Sequence, residues 1–262
     1  MDAVLIDIDG VLIDIDGVLT VSWRPLPGAV SAVSRMRAAG LKLRLLTNTT
    51  SRTRAAIAAT LAAAGFPVDA GDILTAPVLA AAYIAEHYPG ARCLLLNSGD
   101  IRADLAGVTL AEDHPDIVLI GGGGPEFSYQ ALNEAFGHLH DGARLVAMHR
   151  NLYWRTDAGL QLDTGAFLAG LEKAAGVQAK VIGKPAAAFF EAALASLGAD
   201  PSATVMVGDD IEADVLAAQR AGITGVLVRT GKYLPRALRD ASGTPDHVVN
   251  SIADVPPMLL GA

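Results

Sequence analysis

The first residues of this chain that could do chemistry are four aspartates in a short tandem repeat. Residues 5–12 read LIDIDGVL, and residues 12–19 repeat the same letters seven positions later. Each copy offers two carboxylates that could attack an electrophilic phosphorus, exchange a proton or hold a divalent cation. Two aspartates and a glycine in each unit exclude a coiled-coil heptad. The repeat therefore predicts carboxylate chemistry, with two candidate copies where one is needed.

A second acidic cluster follows near the other end of the sequence, in MVGDDIEAD at residues 206–214. Asp209, Asp210 and Asp214 offer hard oxygen ligands for Mg²⁺. Such a cation would offset the repulsion between an attacking carboxylate and a phosphate dianion. Taken alone, three acids at a helix start are ordinary N-capping residues. Their position after a Gly-Asp step and alongside the other motifs favours metal binding.

Two further motifs, LLTNTT at residues 45–50 and IGKP at residues 182–185, suit a phosphate group. Thr47 and Asn48 end an apolar run and can offer a hydroxyl, an amide and backbone N–H groups to phosphate oxygens. Lys184 adds a positive charge that could hold phosphate beside a nucleophile. Each motif in isolation is more simply a capped loop or a solvated lysine. The four motifs together favour phosphate binding.

The elements that must position these residues alternate in type along the chain. Apolar runs at 42–46, 204–207 and 225–228 alternate with Ala-rich stretches of helical period at 52–64 and 211–221. This pattern predicts an α/β fold with a doubly wound, Rossmann-like parallel sheet. The four motifs fall at the ends of predicted strands, where open parallel sheets bind their ligands.

The middle of the chain repeats the alternation with its own elements. Strands are predicted at 93–96, 117–120 and 144–148, and helices at 128–140 and 164–175. Most of the chemically suggestive residues lie outside this region. The sequence therefore predicts a core made of residues 1–76 and 181–262, interrupted by an inserted α/β domain at residues 77–180.

The order of the four motifs, DIDGVLT, LLTNTT, IGKP and MVGDDIEAD, resembles the haloacid dehalogenase superfamily of phosphatases over nearly the whole chain. The large insertion between the second and third motifs resembles subfamily IIA, in which it forms an α/β cap that excludes large substrates. The resemblance implies a Mg²⁺-dependent phosphatase that hydrolyses small phosphomonoesters, with phosphoramidates or pyrophosphate as further candidates. A phosphotransferase or mutase, and a binding protein for phosphate ligands with an impaired site, stay open as alternatives.

The resemblance also implies individual roles. Asp14 would be the nucleophile that forms an aspartyl phosphate, and Asp16 would be the general acid and base. The metal would contact Asp14, the backbone carbonyl of Asp16 and Asp209, with Asp210 as a further ligand and Asp214 supporting them. The substrate phosphate would contact the Thr-Asn pair and the lysine of the second and third motifs.

The two copies of the aspartate motif differ in their distance from the next predicted helix. Asp14 precedes the helix start at Pro27 by thirteen positions, and Asp7 precedes it by twenty. The shorter spacing resembles that of the capped phosphatases and favours Asp14 and Asp16. The alternative is that Asp7 and Asp9 occupy the site.

The composition limits the partners. Acidic residues outnumber basic ones by 28 to 20, the net charge is −8, and basic residues form no cluster, so we expect no nucleic-acid binding and no membrane binding. The single cysteine, Cys93, excludes an internal disulfide and indicates a reducing compartment. Aspartates interrupt the first apolar stretch, which argues against a signal peptide. We therefore expect a cytoplasmic protein with a small phosphorylated substrate, and a homodimer formed through the cap.

Overall fold

The computed structural model describes residues 8–156 and 159–261, which fall into two compact units. The core unit comprises the described parts of Met1–Thr47, Ala55–Leu74 and Lys184–Ala262. The inserted unit comprises Asn48–Arg54 and Thr75–Gly183, apart from the two residues between the described ranges. The short segment Asn48–Arg54, which the sequence analysis assigns to the core, thus belongs to the inserted unit.

Strands and helices alternate along most of the chain. The first part of the chain contains β1 (Gly10–Asp14), β2 (Thr20–Val21), β3 (Arg24–Pro25), α1 (Ala29–Ala38), β4 (Lys42–Thr47), α2 (Arg54–Ala63) and β5 (Ile73–Thr75). The middle contains α3 (Ala76–His87), β6 (Arg92–Leu96), β7 (Thr109–Leu110), β8 (Ile117–Ile120), α4 (Tyr129–His140), β9 (Arg144–Ala147), β10 (Tyr153–Thr156), β11 (Gly159–Leu162), α5 (Thr164–Ala175) and β12 (Lys180–Val181). The last part contains α6 (Ala187–Leu197), β13 (Thr204–Gly208), a π-helix (Ile211–Leu216) that continues into α7 (Ala217–Arg220), β14 (Thr224–Val228), α8 (Pro235–Arg239), β15 (His247–Val249) and α9 (Val255–Leu260).

The core unit is built on a six-stranded sheet in the order β15-β14-β13-β1-β4-β5. Central β1 pairs in parallel with β13 on one side and β4 on the other, and all five of its residues are buried. A strand with neighbours on both sides and helices on both faces is expected to be apolar throughout, as GVLI is. Because the strands are parallel, Asp14, Thr47 and Gly208 end three adjacent strands at one edge of the sheet. The α/β fold class predicted from the sequence is confirmed.

Helix α1 illustrates how the sequence specifies the layers of this unit. It buries Ala29, Val33 and Met36, which recur at the three- and four-residue spacing of one helix face. These side chains join the apolar cluster that also contains Val11 and Ile13 of β1. Helix α1 thereby covers the face of the sheet that carries Val11 and Ile13 and shields this face of β1 from water.

The inserted unit has its own five-stranded sheet in the order β12-β9-β8-β6-β7, paired in parallel. Helices α4 and α5 pack together, and the rings of Phe127 and Phe167 lie 5.1 Å apart between their centroids. Strands β10 and β11 form a separate antiparallel pair. None of the helices within the described ranges is both long enough and apolar enough to cross a bilayer.

Candidate active site

The buried end of β1 carries an ion pair. Asp14 is only 6% exposed, and Lys184 is only 4% exposed. The Lys184 ammonium contacts Oδ1 of Asp14 and lies 2.7 Å from Oδ1 of Asp214. Burial opposes the charge on Lys184, but Asp14 and Asp214 outweigh it and raise the pKa of the lysine above its usual range. The lysine is therefore permanently charged beside two carboxylates.

Three buried carboxylates converge at this end of β1, and Lys184 contacts two of them. Asp14, Asp209 and Asp214 each offer an oxygen, and these oxygens lie within 4.8 Å of one another. Burial, followed by repulsion from the other two carboxylates, raises the pKa of Asp209 well above its usual range. Burial also raises the pKa of Asp214, to about 6. Groups of like charge in so small a volume are poised to accept a cation.

One oxygen in this group shows where such a cation fits. Oδ1 of Asp209 is buried and accepts no hydrogen bond from any residue that the structure describes. An unpartnered buried carboxylate oxygen is costly unless a ligand satisfies it. The donor set consists of hard oxygens, which Mg²⁺ prefers over nitrogen or sulfur. Asp14, Asp209 and Asp214 therefore fit a divalent cation of this type.

The other oxygen of Asp209 is held in place by main chain. The backbone N–H of Lys232 donates to Oδ2 of Asp209 at 2.6 Å. Gly17 and Gly231 approach so closely that a Cβ built on either would lie 2.0 Å from this oxygen. Both have positive φ, at 94° and 58°. Glycine is required at both positions, because any side chain would displace the carboxylate.

The π-helix separates the roles of the two acids that follow Asp209. Oδ1 of Asp210 accepts from the backbone N–H groups of Glu212 and Ala213 at 3.1 and 3.0 Å, so Asp210 caps the helix. Asp214 lies one wide turn later, where its Oδ2 accepts from the Asp210 N–H at 3.2 Å and its Oδ1 contacts Lys184. The carboxylate cluster of the described residues thus includes Asp214, to which the sequence assigns a supporting role, and not Asp210, which it assigns as a ligand.

Asp16 lies in the turn that follows β1, where it is exposed and is not one of the three clustered carboxylates. Restricted hydration raises the pKa of its carboxyl, while Lys232 and, more weakly, Lys184 lower it. The motif analysis does not identify Lys232 as a site residue. The available signal was its place in a Thr-Gly-Lys turn, directly after a strand of the same parallel sheet.

The Thr-Asn pair of the second motif, which the sequence predicts to bind phosphate, is divided between the two units. Thr47 ends β4 in the core unit and is buried, next to the strand that ends in Asp14. Asn48 begins the short segment that belongs to the inserted unit. Its Oδ1 lies so close to Gly183 that a Cβ built on this glycine would be 2.5 Å away. Of the two residues, only Thr47 therefore belongs to the same unit as the carboxylate cluster.

The first copy of the aspartate motif does not share this environment. Asp9 is exposed and precedes β1, so it lies at the opposite end of the strand from Asp14. Its backbone carbonyl accepts from the N–H of Lys42, at the start of β4. Asp7 lies outside the described residues.

Comparison with known proteins supplies the family context. The model of a family described as Haloacid dehalogenase-like hydrolase matches residues 11–111, and one described as HAD-hydrolase-like matches residues 181–255. A phospholysine phosphohistidine inorganic pyrophosphate phosphatase from Xenopus laevis is 38% identical over 239 residues, which cover 90% of this chain and 87% of the relative.

Two solved phosphatase structures are similar to this chain over most of its length. A p-nitrophenyl phosphatase from Archaeoglobus fulgidus superposes with a TM-score of 0.90 at 28% identity, covering 97% of this chain and 100% of that chain. A glycerol phosphate phosphatase from Mycobacterium tuberculosis, solved in complex with magnesium, has a TM-score of 0.85 at 29% identity, covering 94% of this chain and 75% of that chain.

Proposed function

Since this chain belongs to the haloacid dehalogenase-like hydrolases and is a phosphatase of that family, we propose that it hydrolyses small phosphomonoesters with Mg²⁺ through an aspartyl phosphate. One observation carries the proposal. The Asp14 carboxylate is buried at the end of β1, contacts Lys184, and lies within 4.8 Å of the Asp209 and Asp214 oxygens. The groups that would serve as nucleophile, phosphate-binding cation and metal ligands thus lie close together, which supports the proposal.

In the first half-reaction, a carboxylate oxygen of Asp14 forms a bond to the substrate phosphorus as the bond from phosphorus to the leaving oxygen breaks. The leaving oxygen keeps the electron pair and takes a proton from Asp16. In the second, water attacks the aspartyl phosphate and gives a proton to Asp16. Orthophosphate leaves, and both aspartates return to their initial states.

The remaining charged groups lower the repulsion between two anions. Lys184 faces the Asp14 carboxylate and would bind the transferred phosphoryl group, with the hydroxyl of buried Thr47 as a further donor. Mg²⁺, held by Asp14, Asp209 and Asp214, would neutralise charge on the phosphate when bound. Binding of phosphate by Asn48 stays a prediction from the sequence.

The relatives suggest which phosphate compounds to test. The names of two matching proteins specify phospholysine, phosphohistidine and inorganic pyrophosphate in one case and p-nitrophenyl phosphate in the other. We extend the proposed substrates of this chain to phosphoramidates and pyrophosphate on that basis. The same attack by Asp14 applies to them, because each contains a tetrahedral phosphorus with an N- or O-linked leaving group.

Release of p-nitrophenol from p-nitrophenyl phosphate tests the proposal directly. We expect turnover with Mg²⁺, loss of turnover in excess EDTA, and recovery when Mg²⁺ is restored. Product analysis in the presence of added alcohols separates hydrolysis from transfer, because a transferase would form a new phosphate ester. Absence of metal-dependent release would contradict the proposed function and leave the transferase and binding alternatives.

A further inference from the structure

The loop formed by Thr230, Gly231 and Lys232 connects two parts of the core-unit site. The Thr230 hydroxyl donates to the backbone carbonyl of Gly17 at 2.6 Å, directly after Asp16. Two residues later, the Lys232 N–H donates to Oδ2 of Asp209. The loop is therefore fixed at both ends, and it holds Lys232 beside the turn that carries Asp16.

The two lysines at this edge of the sheet, Lys184 and Lys232, differ in burial and in their ion pairs. Lys184 is buried, and its ammonium forms ion pairs with the carboxylates of Asp14 and Asp214. The side chain of Lys232 is exposed, and no carboxylate of the described residues forms an ion pair with it. Its charge nevertheless acts on Asp209, Asp14 and Asp16. Lys232 is therefore a cation in the field of the site whose ammonium is open to a ligand.

The proposed reaction determines what that ligand would be. Asp16 delivers its proton to the leaving oxygen, so the leaving group departs on the side of the site where Asp16 lies. We propose that Lys232 contacts the leaving group and selects substrates whose leaving group carries its own negative charge, such as the second phosphate of pyrophosphate. This inference rests on the proposed function and names a substrate class for the same site.

The bond changes are those of the first half-reaction, with an anionic leaving group. When Asp14 attacks one phosphorus of pyrophosphate, the bond from that phosphorus to the bridging oxygen breaks and the bridging oxygen keeps the electron pair. The oxygen takes the Asp16 proton and departs as orthophosphate. Lys232 stays protonated throughout, and its charge offsets the negative charge of the departing phosphate.

The test compares two substrates in three variants. Lys232→Gln removes the charge but keeps the backbone N–H that holds Asp209, and Lys232→Arg keeps both. Lys42→Gln is the matched control, because Lys42 begins β4 at the opposite edge of the sheet and donates to the Gly198 carbonyl at 2.8 Å. The measurement is kcat/KM for pyrophosphate and for p-nitrophenyl phosphate, together with the Mg²⁺ concentration at half-maximal activity.

We expect Lys232→Gln to lower kcat/KM for pyrophosphate roughly 10- to 100-fold, the size associated with one hydrogen bond to a charged group. The value for p-nitrophenyl phosphate should fall by a clearly smaller factor, because the aryl leaving group has no second anionic group to lose a contact and only the general effect of the Lys232 charge on the site carboxylates is removed. Lys232→Arg should restore most of the pyrophosphate activity. The Mg²⁺ requirement of Lys232→Gln and the activity of Lys42→Gln should match the wild type.

Three results would overturn the inference. An equal loss for both substrates in Lys232→Gln would make the lysine a general part of the site. A raised Mg²⁺ requirement would show that it acts through Asp209. A wild-type protein that hydrolyses the aryl ester but not pyrophosphate would refute the substrate class while leaving the proposed function intact. Lack of metal-dependent turnover of either substrate would refute the proposed function itself.

Discussion

The two units of this chain share a parallel-sheet architecture but differ in how the polar residues beyond their strands are satisfied. Each contains a parallel sheet with polar residues in the loops that follow its strands. In the inserted unit the polar groups around Gly122 satisfy one another, since the Gly122 N–H donates to both Thr50 Oγ1 and Asn97 Oδ1. In the core unit, Asp14, Asp209 and Asp214 repel one another. The same sheet edge can thus serve as a closed network or as an open binding site.

The inserted unit closes its network with main-chain groups. The side-chain amide of Asn97 donates to the carbonyls of Thr50 and Gly99 at 2.9 Å each. Oδ1 of Asp163 accepts from the N–H groups of Gly123 and Thr164 at 3.0 and 2.8 Å. Buried polar groups satisfied in this way stabilise a fold and leave nothing for a ligand to complete.

The core unit instead maintains an unfavourable arrangement. An oxygen of Asp209 accepts no hydrogen bond from the part of the chain that the structure describes, and burial raises the pKa values of all three clustered carboxylates. Strain of this kind is expected where a ligand supplies the missing interaction. The contrast predicts that changes in the core cluster alter catalysis, whereas changes in the inserted network alter stability alone.

The sharpest test of the comparison is the nucleophile. We expect Asp14→Asn to lower kcat by roughly 10⁴-fold or more, because an amide cannot form the aspartyl phosphate. Asp9→Asn is the matched control, since each aspartate belongs to one copy of the same repeat and Asp9 is exposed before β1. Steady-state turnover of p-nitrophenyl phosphate measures both. An active Asp14→Asn variant beside an inactive Asp7→Asn variant would reverse the assignment.

The pH dependence of metal binding tests the charge argument next. The pKa of Asp214 is raised from its usual 3.8 to about 6, chiefly by burial. Between these values the folded, metal-free protein binds more protons than the unfolded chain. Its free energy of unfolding therefore falls as the pH rises through this window, by on the order of 2 kcal/mol for this one group. Mg²⁺ needs ionised ligands, so its stabilising effect should grow over the same window.

Thermal unfolding with and without Mg²⁺ measures this effect. We expect the rise in Tm on adding Mg²⁺ to be large at about pH 7.5 and nearly absent at about pH 4.5, where the carboxylates take up protons. Asp214→Asn should flatten the stability profile of the metal-free protein, because the titrating group is gone. A Mg²⁺ effect that is equal at the two pH values would contradict the role given to the cluster.

The sequence predicts the fold more fully than the site. The buried runs at residues 204–207 and 225–228 became β13 and β14, because a central parallel strand needs an apolar sequence that is easy to recognise. The pairs β2–β3 and β10–β11 had no such signal. Arg24 and Pro25, for example, are both exposed, and two-residue strands show no periodicity.

Motif order locates Asp14, Lys184 and Asp209, which the structure brings together. It names Asp210 as the further metal ligand and Asp214 as the supporting residue, whereas the structure groups Asp214 with Asp14 and Asp209, because a π-helical turn with its wider spacing places Asp214 beside Lys184. Motif order could not assign Lys232. That residue reaches the site through contacts of its loop with residues some 200 positions earlier, which no local pattern records.

The glycines around Asp209 provide a smaller and more selective test. Gly231 and Gly198 have nearly equal φ values of 58° and 57°, so alanine should cost either position about 1 kcal/mol of backbone strain. Only at Gly231 would the new Cβ meet Asp209, whereas nothing lies within 4 Å of one at Gly198. We expect Gly231→Ala alone to lower kcat/KM, by roughly 10- to 100-fold. Equal activity of the two variants would show that the position of Asp209 is tolerant.

The smallest effect on catalysis should come from the closed network of the inserted unit. Asn97→Ala removes an acceptor of the Gly122 N–H and the donor to the Thr50 carbonyl, so it should lower the free energy of unfolding by about 1–3 kcal/mol. The control, Asn133→Ala, removes an exposed amide from α4 and should change stability by less than about 0.5 kcal/mol. Urea unfolding gives both values, and Mg²⁺ titration of activity gives the metal requirement. If Asn97→Ala raised the Mg²⁺ requirement, the polar groups of the inserted unit would contribute to the metal site, and the division between a closed network and an open site would fail.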